Sequence, residues 1–140
     1  MKTLIVEDDF ISRLYLQEIL KPYGAVHIAV NGKEAVEAAR AALDAGEQYD
    51  LICLDIMMPE MDGHEALRQI RGLEESRGIL PPRGSKIFMT TALDNMKNIF
   101  EGFRGLCDAY LAKPLSKANL LENLHEFGLT GSESVCPCVR

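Results

Sequence analysis

The run Leu51–Leu54, closed by Asp55, constrains the fold of this chain more than any other stretch. Its four residues are apolar with no polar alternation, and they lie between Asp50 and a loop marked by Pro59, Asp62 and Gly63. A run this short and this uniformly apolar reads as a strand buried on both faces, the environment of a parallel sheet. In open parallel sheets ligands bind outside the carboxyl ends of the strands, which is where Asp55 falls. A carboxylate closing a buried strand is costly to keep unless chemistry uses it.

Four further strand-sized runs alternate with segments of helical period. Thr3–Val6 ends in Glu7, Asp8 and Asp9, after which Ser12, Leu16, Ile19, Leu20 and Tyr23 recur at helical spacing up to Gly24. Ala25–Val30 is a second strand, and Asn31 with Glu34 three residues on reads as the N-cap of a helix carrying Ala35, Val36, Ala39, Ala42 and Leu43 and ended by Gly46. Beyond the Asp55 loop, Ala66, Leu67, Ile70 and Leu73 mark a third helix, with Gly78, Pro81, Pro82 and Gly84 in a surface loop. Lys86–Thr90 is the fourth strand, followed by Thr91-Ala92 and a helix with Met96, Ile99, Phe100 and Phe103 on one side. Ala109–Ala112 is the fifth, ending in Lys113-Pro114, and Ser116 caps a last helix bearing Leu120, Leu121, Leu124 and Phe127. This alternation predicts an α/β fold: a five-stranded parallel sheet with right-handed crossovers and helices on both faces.

The length of 140 residues suits one domain, expected over residues 1–127 with a flexible tail at 128–140. A net charge of −6 without any basic stripe argues against direct nucleic-acid binding. No apolar run approaches the ~20 residues of a membrane span, and no signal-peptide pattern opens the chain, so a cytoplasmic protein without membrane contact is expected. In that compartment the four cysteines are expected to be reduced. Cys136 and Cys138 are close enough to form half a zinc site or a redox pair, whereas Cys53 and Cys107 read as small hydrophobes in or beside strands.

In the expected topology the polar strand ends gather on one rim: Glu7, Asp8 and Asp9, then Asp55, then Thr91, then Lys113. Carboxylates held this close repel by several kcal/mol at an intermediate dielectric, so the arrangement calls for a cation. Oxygen ligands without nearby His or Cys point to a hard ion, Mg²⁺ first and Ca²⁺ second. A carboxylate beside such an ion, a hydroxyl and a lysine suits attack by the carboxylate on a phosphoryl group, giving an aspartyl phosphate. Thr91 is placed to donate to a phosphoryl oxygen.

With these motifs in hand, the chain resembles the receiver domain of bacterial two-component response regulators, in a stand-alone, chemotaxis-regulator-like form. The resemblance spans Lys2 to Phe127 and rests on Leu4-Ile5-Val6-Glu7-Asp8, Asp50…Asp55 with Met58-Pro59-Glu60-Met61-Asp62-Gly63, Thr91-Ala92 and Lys113-Pro114. It implies a doubly wound, flavodoxin-like (βα)5 fold with strand order 2-1-3-4-5. It also implies that Asp55 accepts a phosphoryl group from a kinase phosphohistidine, with Glu7, Asp8, Asp55 and the backbone carbonyl of Met57 around Mg²⁺. Thr91, Ala92 and Lys113 would then bind the phosphoryl group, and Thr91 with Tyr110 would relay the change to a face of the fourth helix, fifth strand and fifth helix. The Lys113-Pro114 bond would be cis. Implied partners are a sensor histidine kinase or phosphotransfer protein and a downstream target protein, with a monomer at rest and a dimer possible on phosphorylation.

Two departures from the family pattern matter. Glu7 stands where Asp is more frequent, with Asp9 left as a helix N-cap. The positions two after Asp55 and two after Thr91 are the apolar Met57 and Leu93, neither able to hold an attacking water, so slow autodephosphorylation is expected. Three other readings stand beside the switch. An aspartate-nucleophile phosphatase is expected to carry a second acid where Met57 sits. A receiver-like interaction module not regulated by phosphorylation is expected to have lost Asp55, Thr91 or Lys113. The third is a receiver fragment of a larger regulator.

Overall fold

A computed structural model of the chain describes residues 1–56, 58, 61, 63–80, 83–92 and 107–129. Five parallel strands, β1 (Thr3–Val6), β2 (Val26–Ala29), β3 (Leu51–Asp55), β4 (Lys86–Ala92) and β5 (Ala109–Lys113), form one sheet in the order β2-β1-β3-β4-β5. That is the order the resemblance implied, and it places β3 at the centre, paired with β1 on one side and β4 on the other. The helices are α1 (Phe10–Leu20), α2 (Gly32–Asp44), α3 (Gly63–Ser76) and a C-terminal helix (Lys117–Glu126).

Strand alternation divides the core into two layers. Leu4, Val6, Ile52, Leu54, Ile87 and Met89 meet the small and branched residues of α2 and α3, among them Ala35, Ala39, Ala66, Leu67 and Ile70. On the other face Ile5, Leu51, Cys53, Phe88 and Leu111 pack with Leu16, Ile19 and Leu20 of α1 and with Leu120 and Leu124. All of Leu51–Leu54 is buried, as the uniform apolarity of the run predicts. Burying each such aliphatic side chain contributes about 1.5–3 kcal/mol, which fixes β3 as the rigid strand behind Asp55.

Side chains cap the helices where short polar residues precede apolar periodicity. Asp9 accepts from the Ser12 amide at 2.9 Å. Asn31 accepts from the Glu34 amide at 2.8 Å, while the Glu34 carboxylate reaches back to the Val30 amide at 3.0 Å. Ser116 accepts from the Asn119 amide at 3.2 Å. Gly128, with φ near 74°, and Leu129 close the C-terminal helix by donating to His125 and Leu124 carbonyls. The Lys113-Pro114 bond is cis.

The differences from expectation lie at element ends. α1 stops at Leu20, and Lys21–Tyr23 tightens into a 3-10 turn around Pro22 rather than continuing to Gly24. β2 is shorter than the expected 25–30 run. β4 passes Thr90 because Thr91 and Ala92 still find partners, Ala112 and Lys113, on β5. The expected fourth helix, Pro81 and Pro82, and the tail beyond Leu129 with Cys136 and Cys138 lie outside the described residues, as do Met57 and Leu93.

Candidate functional site

The carboxyl ends of β1, β3, β4 and β5 bring Glu7, Asp55, Thr91 and Lys113 to one rim. Register accounts for the convergence: Val6 pairs with Leu54, Asp55 with Thr90, and Ala92 with Lys113, so the strands end almost level. Carboxylate oxygens of Glu7, Asp8 and Asp55 lie within 4.8 Å of one another. Glu7 and Asp55 are buried, at 0% and 3% exposure, whereas Asp8 opens to solvent. The start of α3 is tied to the end of β3, with the Gly63 amide donating to the Ile56 carbonyl at 3.0 Å. A Cβ at Gly63 would stand 2.5 Å from the Asp55 carbonyl oxygen, so no larger residue fits there.

Lys113 brings a cation to this rim. Its Nζ lies 3.3 Å from Asp55 Oδ1 and 3.1 Å from Glu7 Oε1, and it donates to Glu7 Oε2 at 3.3 Å. The contact with Glu7 Oε1 is one of charge, and that buried oxygen accepts no hydrogen bond among the described residues. Burial, and then the neighbouring Asp55 charge, push the Glu7 carboxyl up to about 7, with Lys113 opposing. Lys113 itself is desolvated, which favours its neutral form, but Asp55 and Glu7 outweigh that and hold its ammonium above the usual range. Thr91 is buried with a hydroxyl that has no hydrogen-bond partner among the described residues.

These features fit a hard divalent cation. Three carboxylates converge and Lys113 pairs with two of them, while one buried carboxylate oxygen lacks a donor among the described residues, so positive charge is what the site is short of. Among the described residues no Cys or His stands in the cluster to favour a softer metal. The unpartnered Thr91 hydroxyl on the adjacent strand end adds a neutral donor for an anionic group.

Asp9 faces the α1 cap, as the sequence suggested, so Glu7 and Asp8 are the acidic pair of this loop. Tyr110 lies on β5, half-buried against the α2–α3 side of the core, where burial and the neighbouring Cys107 push its phenol well above the usual range. Cys53 is buried and its thiol is pushed up to about 12 by burial, in keeping with a core role. The scattered histidines enter no cluster; His27 Nδ1 sits 2.7 Å from the Tyr49 hydroxyl at the far edge of the sheet. Phe10, Ile11, Leu14 and Tyr15 form an exposed apolar patch on α1 that strand-end motifs do not mark. Ile11, Ser12 and Tyr15 line a groove of about 290 Å³ with Lys113, Pro114 and Leu115, directly beside the site. The cue was present in four large apolar residues at the start of a helix whose inward positions were already filled.

The family model of the response regulator receiver domain matches residues 3–125. A two-component response regulator of Oryza sativa subsp. japonica is 36% identical over 133 residues, covering 92% of this chain and 95% of that protein. A hybrid signal transduction histidine kinase of Dictyostelium discoideum is 32% identical over 94% of this chain but only 7% of its own length. Among solved structures, the receiver domain of a Pseudomonas aeruginosa PAO1 sensor histidine kinase, with a magnesium ion in its active-site cleft, superposes with a TM-score of 0.70 at 28% identity, covering 90% of this chain and 95% of that one. The receiver domain of histidine kinase CKI1 from Arabidopsis thaliana, complexed with Mg²⁺ and BeF₃⁻, gives 0.68 at 30% identity, with 89% of each chain covered.

The fold and site thus define the receiver class of two-component signalling, and this chain belongs to the response regulator receiver domain family. Domains of this family are phosphorylation-activated switches, carried both in response regulators and within histidine kinases, and the relatives here extend beyond bacteria to a plant and a slime mould.

Proposed function

We propose that Asp55 is the phosphoacceptor of this switch and that Glu7, Asp8 and Asp55 hold Mg²⁺ together with the Met57 carbonyl, which lies outside the described residues. The observation that carries this reading is the Asp55 carboxylate itself. It is nearly fully buried at the end of the central strand, within one cluster with Glu7 and Asp8 and 3.3 Å from the Lys113 ammonium. A bound Mg²⁺ supplies charge neutralisation at the transferring phosphoryl group. Lys113 neutralises the charge left on Asp55 and its new phosphoryl oxygens. Thr91, whose hydroxyl has no partner among the described residues, and the Ala92 backbone line the space for that group.

Nucleophilic attack by an Asp55 oxygen on phosphorus breaks the bond to the donor's imidazole nitrogen, which leaves with the electron pair. Turning of Thr91 toward the phosphoryl group, and of Tyr110 behind it, changes the face built on β5 and the C-terminal helix, with the expected fourth helix outside the described residues. The donor is a sensor histidine kinase or phosphotransfer protein, which has to approach past the exposed Phe10, Ile11 and Tyr15 beside the site. The output is contact with a downstream target protein in the cytoplasm, without direct nucleic-acid binding, by a chain that is a monomer at rest. Residues 1–127 act as the receiver and 128–140 as a flexible tail. The chain turns over no substrate beyond its own phosphoryl group, and loses that slowly because Met57 and Leu93 offer no hold for water. The coverage of the rice regulator supports a stand-alone receiver, and the coverage of the hybrid kinase supports a fragment of a larger regulator as the second reading.

The test is intact mass after incubation with acetyl phosphate, with Mg²⁺ or with chelator, on the wild type and on Asp55→Asn. A Mg²⁺-dependent gain of one phosphoryl group that disappears in the variant is expected. No gain in folded wild-type protein would instead support an interaction module independent of phosphorylation.

A further inference from the structure

Every hydrogen-bonding group of Glu7 is engaged from a different direction except one buried oxygen. Its amide donates to the Ala29 carbonyl of β2 at 3.1 Å, and its carboxylate takes Lys113 and the Asp9 amide at 3.3 Å each. Its carbonyl oxygen accepts from Arg13 Nη1 at 3.1 Å. Arg13 lies in the first turn of α1, half-buried, and its guanidinium carbon sits 5.5 Å from the centre of the Phe10 ring. Its own amide donates to the Asp9 carbonyl at 3.0 Å, while Asp9 caps the same turn through Ser12. The first turn of α1 therefore grips the Glu7–Asp9 loop at both ends.

This grip matters because Asp8 is exposed, so burial in the core does not aim its carboxylate. The peptide between Glu7 and Asp8 is a rigid plane. Holding the Glu7 carbonyl oxygen orients that plane, and with it the direction in which the Asp8 side chain leaves the backbone. A charged donor on a partly buried carbonyl is among the stronger hydrogen bonds available for the purpose.

We propose that Arg13 is a positioning residue of the metal site: its hydrogen bond to the Glu7 carbonyl sets the β1–α1 loop so that Asp8 and Glu7 converge with Asp55 on one divalent cation. The inference rests on the metal site proposed above. Its sign is informative, because a guanidinium acting only through its charge would repel Mg²⁺ and its removal would tighten binding.

The experiment measures the Mg²⁺ dissociation constant by amide chemical-shift titration of wild type, Arg13→Met, Arg13→Lys and Arg13→Gln, with amide hydrogen exchange at Asp8 and Asp9 in metal-free protein. Arg13→Met is expected to weaken binding about 10- to 100-fold, the range for residues that orient metal ligands, and to speed exchange of the Asp9 amide. Arg13→Lys, which keeps charge and donor, is expected to recover part of the loss. Arg13→Gln, the gentler change should Arg13→Met not fold, is expected to bind more weakly than wild type. Unchanged or tighter binding in Arg13→Met or Arg13→Gln overturns the proposal while leaving the metal site standing. Wild-type protein that fails to saturate with Mg²⁺ overturns both.

Discussion

The two rims of the sheet carry polar clusters of similar composition and opposite character. At the carboxyl rim, three carboxylates converge and two of them share Lys113, while among the described residues a buried Glu7 oxygen takes no hydrogen bond and the Thr91 hydroxyl has no partner. At the amino rim, Glu74 is just as buried, at 3% exposure, yet it accepts from Arg71 and from the Ser85 amide at 2.8 Å each. Arg71 also donates to the Ser85 carbonyl at 2.8 Å and to Asp108 at 3.1 Å, and Asp108 accepts from the Ile87 amide at 2.8 Å. One cluster ties α3 to the starts of β4 and β5. The other holds unspent capacity for a cation and an anionic group. A buried charge whose partners are complete stabilises the fold, and one whose partners are incomplete marks where a ligand completes them.

Removing one member from the closed cluster should have the largest effect on stability. Glu74→Ala leaves Arg71 and the Ser85 amide short of a buried partner and is expected to cost about 3–5 kcal/mol in urea unfolding, with Mg²⁺ affinity of the folded protein unchanged. A loss under 1 kcal/mol would mean that the loop before β4 is held by something other than this brace.

The open cluster should show itself in pH dependence. Glu7 binds its proton more tightly folded, at about 7, than at its ordinary 4.5, so folding favours the protonated form. Without metal, that stabilisation is complete below about 4.5 and is lost as pH rises through about 7, a change of a few kcal/mol at most. Saturating Mg²⁺ should displace the proton and remove this decline, and Mg²⁺ affinity should rise with pH up to about 7. Unfolding curves at pH 5 and pH 7.5, with and without Mg²⁺, check both signs.

Asp55→Asn removes one of the repelling charges and leaves Lys113 with Glu7. It is expected to stabilise the metal-free protein by about 1 kcal/mol while abolishing phosphoryl acceptance, the trade of stability for function expected at an active site. A destabilised variant would show that the Lys113 contact to Asp55 outweighs the repulsion. The smallest effect is expected for Thr91→Val, which replaces an unpartnered buried hydroxyl with a methyl. Stability should hold or rise by a few tenths of a kcal/mol, with acceptance retained and target binding weakened.

Much of the carboxyl rim was legible in the sequence because three of its residues follow directly on short apolar runs. Glu7 follows Val6, Asp55 follows Leu54 and Lys113 follows Ala112, so strand recognition alone placed them. The amino rim was not. Arg71 and Glu74 carry no apolar periodicity, and it is the return of the chain at Gly84 and Ser85 that buries Glu74 and half-covers Arg71. A Cβ at Gly84 would fall within 2.3 Å of the Glu74 carboxylate. Arg13 was passed over for the same reason, since its contact runs from a side chain to a backbone carbonyl and leaves no trace in hydrophobic period. The β4 end was misjudged by two residues because strand length depends on the partner strand as well as on composition.

By itself the sequence determined the alternation of strands and helices among the described residues, the two-layer core, the three side-chain caps and the residues at the strand ends. All of these follow from local propensity and from the 2.0 and 3.6 periods of burial. Tertiary structure alone decided how level the strands end, and hence which carboxylates meet. It also decided that Glu7 is driven toward neutrality while Asp8 stays in water, and that Glu74 is satisfied where Glu7 is not. Those outcomes depend on distance and desolvation between residues far apart in the chain, which periodicity does not encode.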